Sequence, residues 1–262
     1  MLPDLLAGYV CSAQSGSVRR FAGTTDQTGA SMTRARTKKI LIGLTSHGDL
    51  AGLRPTGYYL SEVAHPWRVF IDAGYTVDLV STEGGQPPVD GADLSDPIQR
   101  AFTDDVEMQR KARETPRFAN VDVAAYDAVL FAGGHGTMWD FPDDPDLARV
   151  VRDVYEDGGV IAAVCHGPAA FVGVTLSDGR SLVEEKQVAA FTDAEESAVG
   201  LAEVVPFLLQ TRLEEIGAKH TGAPNFESHV VTDQRLVTGQ NPASATGVAH
   251  AVLAALAPKV DR

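Results

Sequence analysis

The four residues Cys165-His166-Gly167-Pro168 hold the richest chemistry in this sequence. The apolar run Val160-Ile-Ala-Ala-Val164 leads straight into them, so the thiol stands where a buried strand hands over to the next helix. A residue at such a turn is held in a sharp, often strained conformation. The following helix N-terminus carries partial positive charge, which favours thiolate over thiol. His166 can stabilise that thiolate or carry its proton, provided its ring turns back toward the sulfur and a carboxylate orients it. The ordinary alternatives are a small buried Cys that fills space and a surface His.

A second strand end carries a loop of similar promise. Tyr126-Asp-Ala-Val-Leu-Phe131 runs into Gly133-Gly134-His135-Gly136. These glycines let backbone approach a bound group, and free N–H groups there can hold an oxyanion. The alternative is an ordinary strand-to-helix loop. No Gly-Lys-Ser/Thr follows, so it is not a phosphate-binding loop. If the two strands are neighbours, both loops face one crevice beyond the carboxyl ends of the sheet.

The elements that must position these loops alternate from Lys38 onward. Ile40–Leu44 and Tyr75–Val80 read as buried strands, with a helix between Leu60 and Asp72 whose first turn is complicated by Pro66. Pro145 to Asp157 reads as a helix, with Leu147, Val150, Val151 and Val154 at helical spacing. Gly173 to Ala190 reads as a hairpin-like region. A helix near Val205 to Ile216, short strands around Val230 and Leu236, and a final helix over Pro242 to Leu256 complete the pattern. Together these indicate an α/β fold: one doubly wound domain over residues 38–258, with a mostly parallel sheet and helices on both faces. Residues 84–120 form a long polar excursion expected to act as a lid or binding loop, partly helical around Asp105 to Arg113. Residues 1–37 are rich in Ser, Thr, Gly, Gln and Arg, show no period, and read as a disordered extension, with Met32 a candidate true start.

Composition narrows the function classes. The chain has 262 residues, 44% of them apolar, and a formal net charge of -13, which ill suits a phosphate backbone. No nucleic-acid partner is expected. No run of eighteen apolar residues occurs, so no membrane span is expected. The two cysteines, Cys11 and Cys165, are too few for a disulfide framework and read as thiols in a reducing cytoplasm. No His/Cys cluster at ligand spacing is visible, so no metal is expected.

Five motifs in order then give the chain a likeness. They are Gly57-Tyr-Tyr-Leu-Ser-Glu62-Val-Ala-His-Pro66, Ser81-Thr-Glu-Gly-Gly85, Ala132-Gly-Gly-His-Gly-Thr-Met-Trp-Asp140, Val164-Cys165-His166-Gly167-Pro168 and Phe191-Thr-Asp-Ala-Glu-Glu196. Over roughly Lys38 to Leu256 the chain resembles the PfpI superfamily, with its flavodoxin-like, class I glutamine amidotransferase-like fold, and within it the glyoxalase III branch that also contains heat-shock chaperones. The resemblance implies Cys165 as nucleophile, His166 as its partner, Glu62 as the carboxyl contacting the thiol and Glu196 as the acid behind the histidine. Asp193 and Glu195 compete for that last role. It also implies that Gly134, His135 and Gly167 supply oxyanion or substrate contacts.

The implied reaction converts methylglyoxal or glyoxal to D-lactate or glycolate through a hemithioacetal on Cys165, without metal, nucleotide or glutathione. Glycated or unfolded proteins are further implied partners, and a homodimer the implied assembly. The competing readings are a holdase chaperone, a cysteine peptidase, and a glutamine amidotransferase. The amidotransferase normally takes its histidine from a late His-x-Glu motif, which Thr238-Gly-Gln-Asn-Pro242 lacks.

Overall fold

The computed structural model describes residues 38–257. The expectations for residues 1–37, namely disorder, a start at Met32 and a thiol at Cys11, lie outside them.

The chain runs through β1 (Lys39–Leu44), β2 (Tyr58–Tyr59), α1 (Ser61–Asp72), β3 (Thr76–Ser81), β4 (Val89–Asp90), α2 (Pro97–Asp104) and α3 (Val106–Arg113). It continues through β5 (Ala128–Phe131), α4 (Thr137–Asp140), α5 (Pro145–Glu156), β6 (Val160–Val164) and a 3-10 turn over Gly167–Phe171. Then come β7 (Gln187–Val188), α6 (Asp193–Ala198), α7 (Leu209–Glu215), β8 (Lys219–His220), β9 (Val230–Asp233), β10 (Leu236–Gly239) and α8 (Ala245–Leu256). Six strands form one sheet in the order β3-β1-β5-β6-β10-β9. All neighbours are parallel except β9 against β10.

Side chains alternate across a strand, and here both faces are apolar. Ile40, Ile42, Leu130, Ala162 and Val164 pack under α1 and α8, whereas Leu41, Val129, Phe131, Ile161 and Ala163 pack under α5. That two-sided burial is why the strands read as continuous apolar runs, and it makes the fold doubly wound. α5 begins where Asp144 accepts hydrogen bonds from the N–H groups of Asp146 and Leu147, with Pro145 in the first turn. Among the described residues no helix is long and apolar enough to cross a membrane.

Several boundaries differ from expectation. α1 runs through Pro66, whose ring brings no N–H to the carbonyl of Glu62. The third parallel strand starts at Ala128 rather than Tyr126, because Asp122 caps a 3-10 turn over Val123–Ala125. α7 starts at Leu209 rather than Val205, since Pro206 disfavours helix in the residue before it. The hairpin-like reading of Gly173 to Ala190 holds only at one antiparallel bridge, Thr175 to Ser181. β7 instead pairs in parallel with the distant β8.

In the 84–120 excursion, α2 and α3 bury Phe102, Met108 and Ala112 in the same core as Trp67 of α1. Its contribution to the cleft described below is confined to Asp90 and Gly91.

Candidate active site

β5 and β6 are hydrogen-bonded neighbours, with Phe131 opposite Ala163, so the loops that leave them emerge side by side. The sheet order reverses between β1 and β5, and the first turn of α1 meets the loop after β5 through Glu62 and Gly133. Such reversal points are where parallel α/β sheets open a crevice.

Cys165 has a φ of +60°, in the left-handed region that a residue with a Cβ rarely adopts. Its N–H still donates to the Gly239 carbonyl at 2.9 Å, continuing the β6–β10 ladder one step past the strand. The ladder pins the backbone while the next residue turns away, and the thiol lies at the foot of a cleft of about 470 Å³. The cysteine is only 4% exposed.

Three groups surround the sulfur. Nδ1 of His166 lies 3.3 Å from Sγ. The backbone N–H of His166 also points at the sulfur. Glu62, fully buried in the first turn of α1, is the third neighbour. Its Oε2 accepts the Gly133 N–H at 2.6 Å, and its Oε1 has no partner within the hydrogen-bond geometry.

Burial pushes the Glu62 carboxyl up to about 8, with the Gly133 N–H and the thiol only partly opposing it. Burial, then the Glu62 charge, pushes the Cys165 thiol up as well. Two negative charges cannot share this pocket cheaply. At neutral pH Glu62 therefore keeps its proton, and a protonated carboxyl beside a sulfur can donate to a thiolate.

The far side of the imidazole is fixed by Glu196. Nε2 of His166 lies 2.7 Å from Glu196 Oε2, and Nε2 of His135 lies 2.9 Å from Oε1. An ionised carboxylate only accepts, so both imidazoles present N–H there. His166 is left with a bare Nδ1 facing the sulfur, the tautomer that can take its proton. Burial, then the neighbouring His135, lowers His166 to about 4, so it rests neutral. Burial alone would raise Glu196, but the hydrogen bonds from His135 and His166 outweigh it and lower the carboxyl to about 2.

The glycine loop meets this group from β5. Gly134 has a φ of +103°, and a Cβ there would lie 2.1 Å from the Gly57 carbonyl oxygen. Among the described residues no hydrogen bond uses the Gly134 N–H, so a donor is free on a residue lining the same cleft as Cys165.

The sequence pattern of the DJ-1/PfpI family matches residues 53–255, most of the described chain and every residue of this site. The chain belongs to the DJ-1/PfpI family. It is 34% identical over 229 residues to the glutathione-independent glyoxalase HSP31 of Saccharomyces cerevisiae, covering 81% of this chain and 95% of that protein. The crystal structure of glyoxalase III from Candida albicans superposes with a TM-score of 0.78 at 30% identity, over 84% of this chain and 98% of that one. That of the Rapid Encystment Protein 24 KDa of Francisella tularensis gives 0.81 at 38% identity, over 84% and 99%.

In this DJ-1/PfpI chain, Cys165, His166, Glu62 and Glu196 form one contiguous group, with Gly134 and His135 on the cleft wall. Of the competing acids, Glu195 is spent on capping, accepting from Thr192 N–H and Oγ1, and Asp193 accepts from Thr211 Oγ1. Gly167 does not line the cleft: it is buried, and a Cβ there would lie 2.3 Å from the Phe131 carbonyl oxygen, so its smallness serves packing.

The linear sequence shows no His/Cys cluster at ligand spacing, but the fold gathers one group of potential ligands. Ligand atoms of His135, His166 and Glu196 lie within 4.8 Å of one another. Two loops and the helix α6 supply them, which linear spacing cannot display. Each Nε2 is already hydrogen-bonded to Glu196.

Sequence reasoning passed over Phe191, whose ring lies 4.4 Å from that of His166, and the cleft residues Arg54, Tyr59 and Phe226. Phe191 opens the motif that holds Glu196, so its position was available as a signal.

Proposed function

We propose that this chain is a glutathione-independent glyoxalase that isomerises and hydrates small dicarbonyls, methylglyoxal to D-lactate and glyoxal to glycolate. The observation that carries the reading is Cys165, strained and buried, between a protonated carboxyl and a neutral, oriented imidazole. A thiol 4% exposed at the foot of a cleft suits the aldehyde of a small molecule better than a peptide bond within a chain.

The residues divide the work as follows. His166 Nδ1 takes the thiol proton as sulfur attacks the aldehyde carbon, and the resulting oxyanion is stabilised by the Gly134 N–H. Glu196 steadies the imidazolium that forms. Glu62 gives its proton to that oxyanion, and the carboxylate left behind takes the hydrogen on the former aldehyde carbon as a proton while the His166 imidazolium protonates the ketone oxygen, giving an enediol. Glu62 then protonates the neighbouring carbon as His166 takes back the hydroxyl proton, leaving a thioester. Glu62, with a pKa of about 8, is matched to that shuttle near neutral pH. Water then cleaves the thioester, releasing the hydroxy acid and the free thiol. One substrate carbon is oxidised as its neighbour is reduced, so the electrons balance within the substrate. The family likeness extends the proposal to a cytoplasmic homodimer that also acts on glycated proteins.

Methylglyoxal deuterated at the aldehyde carbon tests the shuttle. An enediol relay through an exchangeable carboxyl predicts partial loss of deuterium to water in the lactate formed. Complete retention would contradict a relay whose carboxyl exchanges with water during the enediol's lifetime.

A further inference from the structure

The cleft is much larger than the proposed substrates need. At about 470 Å³ it falls in the range, roughly 300–1,000 Å³, of pockets that enclose drug-sized ligands. Methylglyoxal has three carbons and two oxygens. The cleft lining is divided between the polar Arg54, Asp90 and His135 and a larger apolar set. Phe226, Val199, Leu201 and Pro242 belong to that set, with Phe191 continuing the wall down to His166.

Phe226 is the anomaly in that wall. It is 50% exposed, and Val199 beside the cleft is 43% exposed, so neither serves the core. The backbone of Phe226 has a φ of +64°, a conformation that glycine or asparagine takes far more readily. The strain is held from behind. The Phe226 N–H donates at 2.7 Å to Oε1 of the buried Glu195, which also accepts from Asn241 Nδ2 at 2.9 Å. Asn241 in turn donates to the Glu227 carbonyl at 2.7 Å, tying down the backbone of the next residue as well. The ring centroid lies 6.4 Å from that of Phe191. A strained, anchored and half-exposed aromatic at a reactive cleft is a surface set to meet an apolar group.

We propose that the preferred substrates are dicarbonyls bearing a branched or aromatic hydrocarbon group on the ketone carbon, and that Phe226 is a specificity-determining residue. The proposal rests on the glyoxalase reading and adds the substrate class to it. The chemistry stays balanced: the aldehyde carbon is oxidised to a carboxylate, the ketone carbon is reduced to a carbinol, and one water is consumed. The hydrocarbon group lies against Phe226 and Val199 while the dicarbonyl reaches Cys165.

The test compares isobutylglyoxal with methylglyoxal in wild type, Phe226→Gly and Val199→Ser, reading kcat/KM from hydroxy-acid formation without glutathione. Glycine is at ease at a φ of +64°, so Phe226→Gly removes the ring without adding backbone strain. Wild type is expected to favour isobutylglyoxal at least roughly tenfold, since each methylene in an apolar pocket is worth about that much discrimination. Phe226→Gly is expected to lower the ratio of the two specificity constants by a similar factor, mainly through KM for isobutylglyoxal. Val199→Ser should move it the same way. A wild-type ratio of one or below, with methylglyoxal turned over, would overturn this proposal and leave the glyoxalase reading standing. A high ratio unmoved in both variants would overturn the role of the apolar wall. Turnover of neither substrate would remove the glyoxalase reading, and this proposal with it.

Discussion

At the residue scale, the site is a problem in where one negative charge can sit. Glu62 and Cys165 are buried together, and burial disfavours both anions. The native state therefore binds the Glu62 proton more tightly than the unfolded chain does, with a pKa of about 8 against an ordinary 4.5. Such a group stabilises the fold fully below the unfolded value and loses that contribution as pH rises through the folded one. Glu62→Gln keeps an acceptor for the Gly133 N–H and has no proton to lose. The variant should match wild type in stability near pH 4.5 and exceed it, on the order of a few kcal/mol, above about pH 8. Denaturant melts at the two pH values check this; a gain that is the same at both would contradict the assigned ionisation.

Glu196 makes the complementary case. It is ionised in the resting state and selects the His166 tautomer that leaves Nδ1 free for the sulfur. Glu196→Gln can present an NH₂ where the imidazole N–H must donate, which favours the wrong tautomer. A loss in kcat of about a hundredfold or more is expected, by analogy with other acid–imidazole–nucleophile relays. Steady-state kinetics beside a thermal melt would separate that loss from unfolding.

At the element scale, the decisive pieces are short. The six residues of α6 set Glu196 in place through a capping box, in which Thr192 Oγ1 accepts from Glu195 N–H and the Glu195 side chain accepts from Thr192 N–H. Thr192→Ala should cost about 1 kcal/mol of stability, and it should also lower kcat because the first turn of α6 carries the acid. Thr192→Ser should restore both; rescue of stability without rescue of kcat would show that the cap does not position Glu196.

Much of this architecture was legible in the sequence, for identifiable reasons. β6 is a fully apolar run that stops at Cys165, so both the strand and the special turn stood out. The choice between Glu195 and Glu196 also had a local signal. Thr192 and Glu195 have the spacing of a capping box, which commits Glu195 and leaves Glu196 available. α2 was missed although Asp96 and Pro97 mark its start, because its charged surroundings masked an amphipathic helix that buries Phe102. Phe226 was not legible at all. Its role depends on a left-handed backbone held by hydrogen bonds from distant segments, and no periodicity encodes that.

At the scale of the whole molecule, one sheet edge collects what the chemistry needs. Glu62 arrives on α1, Gly134 and His135 after β5, Cys165 and His166 after β6, and Glu196 on α6. The strands are covered on both faces, so the edge beyond their carboxyl ends is where loops can diverge from core packing. The family match over residues 53–255 spans all of these positions. This assembly is proposed to turn over dicarbonyls through the Cys165 sulfur. The most direct measurement is D-lactate formed from methylglyoxal in the absence of glutathione, comparing wild type with Cys165→Ala. Wild type is expected to produce D-lactate steadily, and the variant none above the uncatalysed rate. Equal rates from the two proteins would contradict the proposal.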